Sequence, residues 1–174
     1  MTPAHQRLQQ GLRALFARWQ PVDEALAAQY LDPALLALFR QMRRSEQIHS
    51  LHVLRGVLAG GVIPPALAIA ALLHDCGKIR YPTNTLQKTY GVLIRTLWPG
   101  WARRLRECDP ANRLVRPLVV AYKHPVWSAD LLRAADAPAD AVWLAEHHQE
   151  PAERHANHPL IGLLRRLQAA DEAN

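Results

Sequence analysis

One stretch, residues 66–78, reads ALAIAALLHDCGK and constrains the rest of this 174-residue chain more than any other. An unbroken run of small and aliphatic residues, Ala66 to Leu73, meets a histidine, a carboxylate, a glycine and a lysine. Pro64 and Pro65 before the run and Gly77 after it predict a buried helix, with proline in its first turn and glycine just past its end. The Ala and Leu content favours helix as well. The end of that helix then carries His74 and Asp75 into a hydrophobic interior. Two such groups buried without partners cost several kcal/mol, so they must be paired, hydrogen-bonded or bound to a cation. Imidazole plus carboxylate suits a first-row divalent metal, and Lys78 suits a phosphate. Other parts of the chain must supply the remaining ligands.

The length fits one domain with a sizeable core. Strand signals are confined to two short stretches, Leu118-Val119-Val120 and Gly61-Val62-Ile63, so an all-α fold is expected. The net charge of +6 reflects an arginine excess and suggests an anionic ligand, but it is too diffuse to predict specific nucleic-acid binding. Two cysteines, Cys76 and Cys108, make neither a disulfide framework nor a CxxC zinc pair. The N-terminal residues lead into an amphipathic segment rather than a signal peptide, and no apolar run approaches the roughly 20 residues needed to span a bilayer. A cytoplasmic location is the expectation.

Read in order, residues 4–19 place Leu8, Leu12, Leu15, Phe16 and Trp19 at helical spacing, stopped by Pro21. A short helix over 22–30 follows, and Asp32-Pro33 then reads as an N-cap with proline at the first helical position. Residues 1–44 are expected to form a helical scaffold and 45–174 the functional core, within one compact domain. A helix from Ser45 to Ala59 carries His49 and His52 on one side. Residues 86–107 are helical in pattern but interrupted at Pro99-Gly100. Pro125 is expected to start a helix just after Lys123-His124. Residues 139–148 end in His147-His148, and a last helix over 160–173 carries Asp171. The total is roughly seven to nine helices. Residues 91–106 mix tryptophans with arginines, as interfacial helices do. An ordinary amphipathic pair of helices covering the site is the preferred reading there, with contact to a membrane surface as the lesser one.

Several helices thus bring polar groups to edges or ends that their apolar stripes would turn inward. Nitrogen and oxygen ligands spread over separate helices are how metal sites in bundle cores are built. At this point the chain resembles the HD superfamily of metal-dependent phosphohydrolases. The pattern H…HD…D is matched by His49, by His74-Asp75 and by Asp171; His74-Asp75-Cys76-Gly77-Lys78 resembles the HDxGK signature, and Ala169-Ala170-Asp171 the closing segment. The additional His124, His147 and His148 resemble the two-metal branch that includes cyclic-di-GMP phosphodiesterases of the HD-GYP type, although the loop after His148 lacks the GYP segment. That resemblance implies two divalent ions bridged by Asp75, one also held by His49, His74 and Asp171, the other by His124, His147 and His148. Mn, Fe, Mg, Co, Ni and Zn are not distinguished by such a donor set.

Two ions about 3.5–4 Å apart clamp a phosphoryl oxygen, and a bound water falls from a pKa near 15.7 to about 7. Asp75 and Lys78 are the residues expected to serve catalysis directly. The expected activity is hydrolysis of a phosphoester, a nucleotide or a cyclic dinucleotide, as phosphomonoesterase or phosphodiesterase. The alternative is a signalling module of the same fold that binds a nucleotide or a protein with little turnover.

Overall fold

The computed structural model describes residues 21–174. The helix expected over 4–19 lies outside them. Among the described residues there are nine α-helices and no strand. They are α1 (Glu24–Ala27), α2 (Pro33–Gln41), α3 (Arg44–Ala59), α4 (Pro65–Leu73), α5 (Thr85–Leu97), α6 (Pro99–Leu105), α7 (Arg116–Ala134), α8 (Ala139–His147) and α9 (Ile161–Glu172). Short 3-10 turns cover Cys76–Ile79 and Ala152–His155.

The helix starts follow from local chemistry. Asp23 accepts from the Leu26 N–H at 3.1 Å and Asp32 from the Leu35 N–H at 2.9 Å, each satisfying a donor that a helix N-terminus leaves free. Asn84 and Gln87 cap α5 reciprocally: the Gln87 N–H donates to Asn84 Oδ1 at 2.8 Å, and the Asn84 N–H to Gln87 Oε1 at 3.0 Å. Gly61, at φ +97°, turns the chain after α3 in a conformation that glycine adopts without penalty.

α4 is the hub. Every residue from Ala66 to Leu73 is buried, and the helix packs against α2, α3, α8 and α9. A helix apolar on all sides has no other stable place than the middle of a bundle. Residues of α1 and α2, among them Ala27, Leu35 and Phe39, join the same core cluster as α4 and α9.

Two sequence expectations are corrected here. Gly77 does not lie just past the end of α4. The helix stops at Leu73, His74 caps it, and Gly77 sits inside the 3-10 turn Cys76–Ile79. Its lack of a side chain serves close packing: a Cβ there would fall 2.3 Å from the His124 carbonyl oxygen and 2.6 Å from the Ser128 nitrogen. Nor does Pro125 start a helix. α7 runs unbroken from Arg116 to Ala134 with Pro125 inside it, so Leu118-Val119-Val120 are helical too. An internal proline costs about 3 kcal/mol. Burial of Leu118, Val119 and Val120 on one side of it, and of Ala129 and Leu132 on the other, offsets that cost.

α5 and α6 lie at the edge, with α5 packed on α6 and α7. They leave large apolar side chains in solvent: Leu93, Leu97, Trp98 and Trp101 are each more than half exposed. No helix among the described residues is long and apolar enough to cross a membrane.

Candidate metal centre

The end of α4 delivers His74 and Asp75 to the place where α3, α7, α8 and α9 converge. Asp75 adopts φ −98° and ψ 0°, the sparsely allowed bridge region in which many active-site residues sit. Its carboxylate is buried and surrounded. Oδ1 lies 3.1 Å from His124 Nε2 and 4.0 Å from His148 Nε2; Oδ2 lies 3.7 Å from His74 Nε2 and 2.5 Å from Lys78 Nζ. On the other side of His74, Asp171 Oδ1 stands 3.7 Å from its Nε2 and 2.8 Å from His49 Nε2. Six of the seven residues singled out as ligands, His49, His74, Asp75, His124, His148 and Asp171, therefore form one contiguous cluster.

Three of the imidazoles are braced in the same way. His74 Nδ1 bonds the Ala71 carbonyl at 3.1 Å, His124 Nδ1 the Val120 carbonyl at 2.8 Å, and His148 Nδ1 the Ala145 carbonyl at 2.8 Å. A carbonyl only accepts, so each Nδ1 carries the proton, and in the neutral ring Nε2 presents a lone pair. All three Nε2 atoms are buried without a hydrogen-bond partner, and all three face the Asp75 carboxylate. Nitrogen lone pairs aimed at a carboxylate in a dry interior repel it unless a cation stands among them. A donor hydrogen bond from Nδ1 to a backbone carbonyl is also the usual way a metal-binding histidine is oriented. The donors fall into overlapping groups capable of holding an ion: His49, His74 and Asp75; His74, His148 and Asp171; Asp75, His124 and His148. The residues present fit divalent metal.

The electrostatics agree. Burial lowers the His74 imidazole below its ordinary 6.5 and takes His148 down to about 3, helped in His148 by His74 and His124. Both rings are neutral at neutral pH, as a ligand must be. Burial alone would raise the Asp75 carboxyl, but the Lys78 ammonium, then His74 and His124, outweigh it and hold Asp75 well below 3.8. Burial also opposes ionisation of Asp171, and the hydrogen bond from His49 overcomes it, so this carboxyl is lowered as well. Burial pushes the Cys76 thiol up to about 12, so it stays protonated in the metal-free protein, and it belongs to none of the donor groups above.

His147 is the exception. Its ring lies against Trp143 and His155, with centroids 4.8 Å and 4.4 Å away, and its Nδ1 is 3.4 Å from Glu150. Neighbouring helical residues point about 100° apart, so only one of the pair His147-His148 turns toward Asp75.

Other residues at the site escaped the sequence reading. Ser128 is fully buried; its Oγ accepts from the Gly77 N–H at 2.8 Å and donates to the His74 carbonyl at 2.6 Å. The available signal was its place one turn after His124 on α7. Glu46 is buried and ion-paired to Lys88 at 3.1 Å. Gln168 donates from Nε2 to the His148 carbonyl at 3.0 Å and the Glu150 carbonyl at 2.7 Å.

Beside the cluster opens a cleft of about 200 Å³. Lys78 (paired with Asp75), Lys88 (paired with Glu46) and Arg95 line it, Val92 and Pro117 form an apolar wall, and His124 connects it to Asp75.

A family model for the HD domain matches residues 47–173. The chain belongs to that family, within the HD superfamily of metal-dependent phosphohydrolases. No curated protein and no solved structure matches it closely enough to be called similar.

Proposed function

We propose that this protein hydrolyses a small phosphoester with two divalent ions, both bound by Asp75. His49, His74 and Asp171 complete one side of the site, and His124 and His148 the other. The observation that carries this reading is the set of three buried Nε2 lone pairs converging on one carboxylate. When bound, divalent ions supply a nucleophile at neutral pH and positive charge for the phosphoryl oxygens. The chain's own residues do the rest. The braced imidazoles fix the donor geometry before substrate arrives. Lys78 lines the cleft and also reaches Asp75, so its ammonium is placed to meet a phosphoryl oxygen. Lys88 and Arg95 hold further negative charge of the substrate, and the Val92 and Pro117 wall takes an apolar or planar group. The cleft is smaller than the roughly 300–1,000 Å³ of drug-sized pockets. It is open to solvent on one side, so it accommodates part of a larger ester as well as a mononucleotide.

Metal content and turnover test this together. Elemental analysis of protein loaded with Mn or Fe should find about two equivalents, and a screen of nucleoside phosphates, small phosphomonoesters and cyclic dinucleotides should find turnover. Asp75→Ala should abolish turnover and the metal held by this cluster while circular dichroism keeps its helical signal; turnover retained by that variant sinks the assignment. A His124→Ala protein with full metal content and full rate would reduce the site to a single ion. Metal binding without hydrolysis of any phosphate would favour the signalling module instead.

A further inference from the structure

The residue that turned away from Asp75 belongs to a second cluster. Glu150 stands between His147 and His155, with Oε1 3.4 Å from His147 Nδ1 and Oε2 3.0 Å from His155 Nε2. One donor atom from each of the three residues lies within 4.8 Å of the other two. His147 Nδ1 is itself buried and has no hydrogen bond. Trp143 closes one side, with its ring 4.8 Å from His147 and 5.2 Å from His155, and it stacks on His158 at 3.7 Å. The backbone is held in place: the Glu150 N–H donates to the His147 carbonyl at 2.9 Å, and Gln168 fastens the Glu150 carbonyl to α9.

We propose that His147, Glu150 and His155 form a separate binding site for a transition-metal cation of the zinc type, distinct from the cluster around Asp75. Two imidazoles and one carboxylate are a donor set used for zinc with a fourth position open to water or another ligand. Imidazole donors favour late first-row ions over Mg and Ca. His155 and Glu150 lie on the loop and 3-10 turn that follow α8, whereas His147 is the last residue of α8. A cation here ties that loop to the helix end immediately beside His148.

The test removes the first cluster to isolate the second. Full-length protein carrying His74→Ala and Asp75→Ala, stripped with chelator and titrated with Zn²⁺ by calorimetry, should retain about one equivalent. Adding Glu150→Gln and His155→Ala should weaken that binding by at least about tenfold. Co²⁺ or Cu²⁺ should quench the tryptophan emission of the doubly substituted protein, and Trp143→Phe should remove most of the quenching. If the first pair of substitutions prevents folding, Glu150→Gln with His155→Ala in the otherwise unaltered chain should lower its zinc content by about one equivalent. No zinc on the His74→Ala/Asp75→Ala protein overturns the proposal. So does zinc binding, or zinc content, that Glu150 and His155 substitutions leave unchanged.

Discussion

At the scale of single residues, the buried imidazoles make the metal-free protein sensitive to acid. His74 and His148 are lowered from 6.5 by burial, His148 to about 3. Below about pH 6.5 the unfolded chain takes up protons that these folded rings refuse, so stability rises with pH there. The contribution is complete above about 6.5 and is lost as the pH falls toward 3. Asp75 and Asp171, both lowered, extend the loss below 3.8 with the same sign. The melting temperature of chelator-treated protein should therefore fall as buffers go from about pH 7.5 to about 4.5. A flat profile would mean that these rings are not buried and neutral. Bound metal should raise the whole curve without flattening it, since the liganded rings hold no more protons than the free folded ones while the unfolded chain still takes them up. In the cleft, Lys88→Ala or Arg95→Ala should raise KM by about tenfold with a smaller change in kcat, the mark of lost uniform binding. Unchanged KM for every phosphate turned over would remove these cations from the substrate site.

Among elements, the contact between α7 and the Cys76–Ile79 turn decides the geometry of the site. Gly77→Ala would set a Cβ against the His124 carbonyl and the Ser128 nitrogen. Both are backbone atoms of a long, packed helix, so overpacking should cost about 1–3 kcal/mol, read as a lower denaturation midpoint. Ser128→Ala should cost a similar amount, about 1–3 kcal/mol, because it strands a buried N–H and a buried carbonyl. Stability unchanged by both would mean that the turn and α7 are not in contact. The same region shows where sequence reasoning stops. The placement of His49, His74-Asp75 and Asp171 at helix ends and edges could be read from spacing, whereas His124, expected just before a helix start, lies in the middle of α7. Whether Pro125 begins a helix or sits within one could not, because local signals favour the first and only the burial of Leu118–Val120 and Leu132 around it decides for the second. Gly77 read as a helix end for the same reason: its requirement comes from α7, some fifty residues away in sequence. That His147 and His148 diverge follows from the roughly 100° between helical neighbours; which of them faces Asp75 depends on the rotation of α8 about its own axis, which no periodicity reveals.

Over the whole molecule, the all-α architecture follows from composition and from one helix too apolar to lie anywhere but inside. The surface is less orderly. Leu93, Leu97, Trp98 and Trp101 stand exposed on α5 and α6, and Arg103, Arg104 and Arg106 follow them. α5 also lines the cleft with Lys88, Val92 and Arg95, and contact between residues 91–106 and an anionic membrane surface is the alternative reading to test. If that contact forms, the protein co-sediments with anionic vesicles at low salt and Trp98→Ala with Trp101→Ala weakens it; protein that stays in the supernatant at low salt removes the idea. With net charge +6, neutral vesicles are the necessary comparison.

Each buried ring at the centre is tethered to the backbone of its own helix: His74 to Ala71, His124 to Val120, His148 to Ala145. A ring fixed in that way cannot swing to follow a neighbour. Any translation of α7 or α8 relative to α4 is passed to the donor atoms undiminished, so the aperture between them is adjusted by core volume and not by side-chain rotation. Ionic-radius preference in this bundle then becomes a property of distant aliphatic packing. If the site holds metal as proposed, a smaller residue at Leu144 or Leu132 should shift its relative affinity for ions of different radius, read in competition titrations, while leaving His74, Asp75, His124 and His148 untouched.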